Sequence, residues 1–479
     1  MTHTRKPLYR DQGGQVTIFL VLLLIVLIGV LLYGLEFIRY EQAKGRAHHV
    51  TVGAVEHLMA DYQVELADWY DLYAIDTNYL GKGKETATHR VWNYLEQNLS
   101  SVDRFGRANG LYQMSVIDSQ VEPKQFLYEN GCHSIKRQIH NWIVEEMIPT
   151  NRRVSRRGDS KQGIKKMSLQ SGKTVQKTQT VQNDAPRVVP DGVDPRGAME
   201  QIKRGGLLKA AGNSQLPLSK EKKQKNGLPS NTLSWEQSSN QITSHIKHRA
   251  ELELYLFQHF NSALSVVREE ETEYQNELEY IITGKDNDYQ CLDTIAMKIL
   301  LLRVPINVMA IKKDTVKQGE AATASGVICA ILMQPELFEE IKEGILMAWA
   351  FGESVADVKV LLQGEKVPLK KHSSNWNLSF HELFNIEGAS VKGTKEGMDY
   401  EDYLKLFLAT MSEKKLYMRI LDLMQLNIQR KYPEFEIKDC MTEYEITAQI
   451  QYDKKYEHSS FQRRTADTFY TKKRGGYQF

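Results

Sequence analysis

Glu353 and Asp357 stand four residues apart in ILMAWAFGESVADVKVLL, an apolar stretch that reads as a helix. That spacing puts both carboxylates on one helix face, the arrangement that paired acids need for metal binding or acid/base work. It equally serves the polar stripe of a buried helix, with Lys359 or Arg303 as the basic partner. Cys132-His133 sets a thiol beside an imidazole at a helix start, but residues adjacent in sequence rarely point at one another. His48 and His49 project in different directions from a helix, and no second ligand follows them. Glu269, Glu270 and Glu271 read as a solvated charge run. No G-x-x-x-x-G-K-[ST], H-E-x-x-H or G-x-S-x-G motif occurs, so the common phosphate-binding, zinc-protease and serine-hydrolase chemistries lose their usual support. The expectation is no catalytic residue, no cofactor and no metal.

The elements that would position these residues begin with a membrane segment. Val16 to Leu35 (VTIFLVLLLIVLIGVLLYGL) is uncharged, and a helix of that length spans a hydrocarbon core about 30 Å thick. Val16, Phe19, Leu24, Leu27, Leu32 and Leu35 are its anchor positions. A cleaved signal peptide is the rival reading, but the run passes into Glu36-Phe37-Ile38-Arg39-Tyr40 with no small-x-small site. Arg5, Lys6 and Arg10 before the span are matched by Arg39, Lys44 and Arg46 after it, so charge alone leaves the orientation open. The other long uncharged run, Ala321 to Pro335, reads as a buried core helix.

Beyond the span, Ala43, Ala47, Val50, Ala54, Leu58, Tyr62, Leu66 and Trp69 recur in steps of three or four, which extends the anchor into a long helix. Gly45 and Gly53 weaken it and mark a possible kink. Tyr112 to Val121 reads as a strand limited by Pro123, and Ile135, Ile139, Ile143 and Met147 as one helix face. Alternation predicts strands over Tyr274 to Ile282 and over Tyr444 to Tyr452. Helices are expected from Asp286 or Asp288 to Leu302, from Glu336 to Gln363, from Tyr400 to Met411 behind Asp399, and from Glu413 to Lys431. The fold class is α+β: a transmembrane helix prolonged into a long helix, then a modest mixed sheet covered by several helices.

The net charge of +2 hides a basic middle: residues 151–226 hold 18 Lys/Arg against 6 Asp/Glu, a surplus of +12 that leaves the rest at −10. This stretch reads as a flexible linker with a short docking island, Asp194 to Leu208. Without interleaved aromatics it does not suit nucleic acid; its basic residues, Arg152, Arg153, Arg156 and Arg157 among them, suit anionic lipid or an anionic envelope polymer, and Glu36 and Arg39 are further candidates for interaction. The expected organisation is a tail (1–15), span (16–35), membrane-proximal region (36–150), linker (151–243) and C-terminal α+β region (244–479) packing with 70–150. Four scattered cysteines (Cys132, Cys291, Cys329, Cys440) allow two bridges without specifying them.

Six stretches together resemble an uncharacterised bacterial family of single-pass membrane proteins associated with tight-adherence (Tad) pilus components: GQVTIF (14–19), EYIITGKD (279–286), AWAFGESVAD (348–357), KVPL (366–369), YEDYL (400–404) and DLMQLN (422–427). The basic leader, Gly13-Gly14 and Glu36-Phe37-x-Arg39 also resemble the start of tight-adherence minor pseudopilins, although Phe19 stands where pilin-type sequences carry a Glu. The resemblance implies an inner-membrane anchor with a cytoplasmic N-terminus, an outward body, and pilus or secretion proteins as partners. The expected function is a non-enzymatic, membrane-anchored envelope component. The alternatives are an envelope enzyme without a visible motif and a polymer-tethering protein.

Overall fold

The computed structural model describes residues 13–99, 113–147, 165–166, 206–211, 218–223, 225, 227–235, 242–268, 272–384, 386, 388–453 and 466–477. The helices are α1 (Gly13–Met59), α2 (Val64–Tyr70), α3 (Thr86–Leu99), α4 (Glu129–Met147), α5 (Leu207–Ala210), α6 (Pro229–Thr232), α7 (Ile242–His259), α8 (Glu277–Thr283), α9 (Asp288–Ile311), α10 (Thr315–Leu332), α11 (Phe338–Leu362), α12 (Tyr400–Thr410) and α13 (Glu413–Gln429). The strands are β1 (Ile75–Asp76), β2 (Gln113–Phe126), β3 (Lys165–Lys166), β4 (Ser265–Val266), β5 (Cys440–Asp453) and β6 (Ala466–Gly476). They form two units: Met1–Asp68, Leu72–Leu127 and Glu434–Phe479 make the first, and Trp69–Asp71 with Tyr128–Pro433 the second. The α+β class is as expected, but the sheet is not mixed: every strand pairing among the described residues is antiparallel.

In the first unit α1 is one helix of 47 residues. Its N-terminal half is bare, whereas Ala43, Ala47, Thr51, Ala54 and Leu58 are fully buried on one face against α3 and the sheet. The expected face stops at Leu58, because Asp61 N–H bonds back to Leu58 O and closes the last turn. Leu66 is buried from the separate helix α2 instead. No break occurs at Gly45 or Gly53. A Cβ on Gly53 would lie 2.5 Å from the Tyr94 hydroxyl, so this glycine lets α3 approach closely.

β5 is the central strand, with β2 along one side and β6 along the other. Tyr444, Ile446, Ala448, Ile450 and Tyr452 alternate into the core as expected, all fully buried. β2 continues past Pro123 to Phe126, with register shifts on either side of Gln125. An edge strand tolerates the missing N–H, and the bulges absorb the misfit. Gly475 of β6 packs under α1, where a Cβ would fall 2.5 Å from Val55 Cγ1 and 2.8 Å from Tyr444 Cζ. Gly475→Ala should therefore cost about 1–3 kcal/mol through overpacking, read as a lowered midpoint in urea unfolding.

The second unit is mostly helical and holds a two-residue pairing of β3 with β4. α11 packs against both α9 and α10. Asn287, rather than Asp286 or Asp288, caps α9 by accepting from Gln290 N at 2.8 Å. That helix runs through Pro305 to Ile311. Tyr274 to Ile282, read as a strand, is largely helix α8, stopped by Gly284 at φ +65. Residues 277–282 are buried on every side, so alternation carries no information there. The Ala321–Pro335 run is a second correction. Ala321, Ala324, Ser325 and Cys329 are buried in α10, but Ile331, Leu332 and Met333 stand exposed, Met333 by 88%. An uncharged run need not be a core run. Most of the expected linker, including residues 194–205, lies outside the described residues; Leu207, Leu208, Ala211 and Leu228 within it are buried. All four cysteines are buried free thiols, so neither permitted bridge forms.

Candidate functional site

Glu353 and Asp357 meet two cations and an amide in the interior of the second unit. α9 contributes Arg303, whose Nε donates to Asp357 Oδ2 at 2.9 Å, and Asn307, whose Nδ2 donates to the same oxygen at 2.9 Å. The segment after α11 contributes Lys371, which pairs with Glu353 Oε1 and lies 2.7 Å from Asp357 Oδ1. Glu353 also accepts from Asn377 N at 2.9 Å and Leu378 N at 2.8 Å, while Arg303 Nη1 donates to Pro368 O at 3.0 Å. Burial raises the Glu353 carboxyl above its ordinary range and Lys371 works against it. Three donors on one carboxylate suit the ionised form.

Arg303 is thus a partner of the acidic pair, but Lys359 is not: its Nζ donates to Ala389 O at 3.0 Å. Lys371, which sequence spacing did not single out, does what Lys359 was expected to do. All four charged side chains have 0% exposure, so the cluster is closed and balanced, two charges against two. It ties α9, α11 and residues 368–378 together. No opening leads a substrate to it among the described residues.

A second buried constellation surrounds α8. Glu277 accepts from Asn261 N (2.8 Å), Arg268 Nη2 (2.8 Å) and Asn427 Nδ2 (2.7 Å). The Arg268 guanidinium lies 4.7 Å over the Tyr70 ring. Glu279 Oε1 accepts from Ala263 N (3.0 Å) and Tyr400 Oη (2.7 Å), but its Oε2 has no partner. Burial pushes this carboxyl up to about 7. Asp422 accepts from Ser230 N (2.9 Å) and Tyr280 Oη (3.1 Å). A strand reading of 274–282 hides this network, because it turns both glutamates outward.

The other chemical candidates disperse. Cys132 is buried and its thiol is pushed up to about 12, which leaves no thiolate to attack. The His48 and His49 rings stand nearly perpendicular, 6.0 Å apart. No group of three metal-type ligands gathers among the described residues. Glu269, Glu270 and Glu271 lie outside them, as do Arg152, Arg153, Arg156 and Arg157. A groove of about 420 Å³ opens between α7, α12 and α13, lined by Arg249, Leu252, Glu253 and Tyr417 among others. Its Arg249 is already engaged with the carbonyls of Leu408 and Met411.

The anchor residues Val16, Phe19, Leu24, Leu27, Leu32 and Leu35 all lie exposed along α1, which is a candidate membrane span. Just past the apolar run Arg39 Nη1 pairs with Glu36 Oε2 at 3.2 Å, and Tyr452 Oη donates to Glu36 Oε1 at 3.2 Å. Tyr40 packs on Tyr452 and Phe469 with ring centroids 6.3 and 5.3 Å apart. α9 also meets a length-and-hydropathy test for a span. It carries buried Asp288, Arg303 and Asn307, each bonded within the second unit, so it is a core helix.

A family model described as a family of unknown function, DUF5702, matches residues 189–452, just over half of the chain. The chain belongs to the DUF5702 family. The matched part holds both buried networks apart from Tyr70 and begins inside the stretch read as linker, before the buried residues Leu207 and Leu208. It does not include α1. No curated protein and no solved structure matches the chain.

Proposed function

We propose that this DUF5702 protein is a non-enzymatic, single-pass component of the bacterial cell envelope, an accessory or minor-pilin-like part of a tight-adherence pilus or secretion apparatus. Its N-terminus faces the cytoplasm and its two folded units lie outside. The observation that carries the reading is α1: among the described residues nothing covers Val16 to Leu35, while the same unbroken helix is built into the core of the first unit from Ala43 onward. A bilayer supplies the missing cover, since about 20 apolar residues match its hydrocarbon thickness. The closed charge clusters serve as internal ties. They leave the surface for partner contact.

Two measurements test this. The full-length protein should stay in the membrane pellet after alkaline carbonate extraction, with its folded units open to protease added outside the membrane. Crosslinking in intact cells should then capture other pilus or secretion components. Recovery in the soluble fraction, or unchanged level and location after those components are deleted, would count against the proposal.

A further inference from the structure

We propose that the sheet of the first unit stands upright on the phospholipid headgroup layer, with the end holding Tyr452, Asp467 and Thr468 as its foot. The inference rests on the anchor reading of α1. It goes further in fixing which end of the body meets lipid, and at what depth.

No linker separates the span from the sheet, which packs along the same helix. Tyr452 Oη meets Glu36, the first charged residue after the apolar run, and Phe469 meets Tyr40. Higher on α1, Thr471 Oγ1 lies 2.8 Å from Thr51 Oγ1, Tyr444 Oη donates to Val55 O at 2.7 Å, and Tyr477 Oη donates to Met59 O at 2.6 Å. β6 therefore climbs away from the span as it runs from Asp467 to Tyr477.

The heights follow from element geometry. Thr51 is about 22 Å above Glu36 at a rise of about 1.5 Å per helical residue. Asp467 lies about 13 Å below Thr471 at about 3.3 Å per strand residue. The foot is then about 9 Å beyond the level of Glu36. A headgroup layer extends roughly 5–8 Å beyond the hydrocarbon on each side. The foot therefore comes to rest at its outer face.

The side chains near the level of Glu36, about 9 Å below the foot, suit the edge of the hydrocarbon. Tyr33, Phe37 and Ile38 are exposed by 76%, 57% and 53%, and aromatic residues favour the membrane interface. Glu36 has one oxygen on Arg39 and the other on Tyr452, so the carboxylate nearest the hydrocarbon is compensated on both sides.

Thr468, Tyr470, Lys472 and Arg474 alternate along the exposed face of β6 and form a ladder of heights about 7 Å apart. The test places single cysteines there (Thr468→Cys, Tyr470→Cys, Lys472→Cys, Arg474→Cys) in the full-length protein, reconstituted into vesicles of phosphatidylcholine and phosphatidylglycerol. The native thiols are buried and take no label. Nitroxide relaxation by nickel chelated to lipid headgroups should be strongest at 468 and fall several-fold by 474. A label at Leu24→Cys should respond to oxygen dissolved in the acyl chains. A flat or reversed ladder with Leu24 in the acyl chains overturns the upright foot and leaves the anchor standing. A water-exposed Leu24 overturns the anchor and the foot together.

Discussion

Lys371→Met should destabilise the fold by about 3–5 kcal/mol, the largest single-site loss expected among the buried polar networks. The Lys371 ammonium faces Glu353 on one side and Asp357 on the other, all three without solvent exposure. Removing it leaves two buried carboxylates with one cation, Arg303, which reaches Asp357 but has no contact with Glu353. Glu353 keeps its two backbone donors, Asn377 N and Leu378 N, which blunt the loss without neutralising the charge. Urea unfolding of the full-length protein should show a lower midpoint. Adding Glu353→Gln to Lys371→Met should recover part of the loss, because it removes the uncompensated charge while its single amide oxygen still accepts from one of the two backbone donors, which bond to different oxygens of Glu353. A change below about 0.5 kcal/mol in the single variant would mean that the site is hydrated and the carboxylates need no partner.

What was legible in the chain depended on whether a signal lay within one element. The face from Ala43 to Leu58, the alternation from Tyr444 to Tyr452, and Asp399 ahead of α12, where it accepts from Asp402 N at 3.0 Å, are local patterns and appear where expected. The Glu353–Asp357 pair is likewise a spacing within one helix. Its partners lie on other elements. Arg303 is 54 residues away, and Lys371 sits in KKHSSN, a polar segment with no period to mark it as buried. α8 defeated the alternation rule because its glutamates are buried with its apolar residues, each accepting from a distant donor such as Asn427 or Tyr400. β6 escaped notice for the opposite reason. Its outward residues Thr468, Lys472 and Arg474 look like a solvated tail, and among its described side chains only Phe469 near its start, with Gly475 and Tyr477 at and just past its end, are buried. The exposed end of α10 shows that hydropathy reports what a segment can bury, not what covers it.

Glu279 should make stability fall as the solution is taken from pH 5 to pH 8, and Glu279→Gln should flatten that fall. The carboxyl is fully buried with no cation on it; Ala263 N and Tyr400 Oη bond one oxygen and the other has no partner. Asp288 and Cys291 are the other titratable groups that act on it or are acted on by it, and neither is a compensating positive charge. Burial therefore raises the carboxyl from its ordinary 4.5 to about 7, in favour of the neutral acid. The unfolded chain releases this proton near the ordinary value, so the folded state binds more protons between the two values. The stabilisation is complete below about pH 4.5 and is lost as the pH climbs through 7, a swing of roughly 3 kcal/mol. Asp288 and Asp422, also raised by burial, add to the trend with the same sign. Glutamine keeps an oxygen for Ala263 and Tyr400 and cannot ionise. The variant should match or slightly trail the parent in melting temperature at pH 5 and exceed it at pH 8. Parallel melting curves across that range would show that the parent carboxyl ionises at its ordinary value, and that water or a cation reaches its second oxygen.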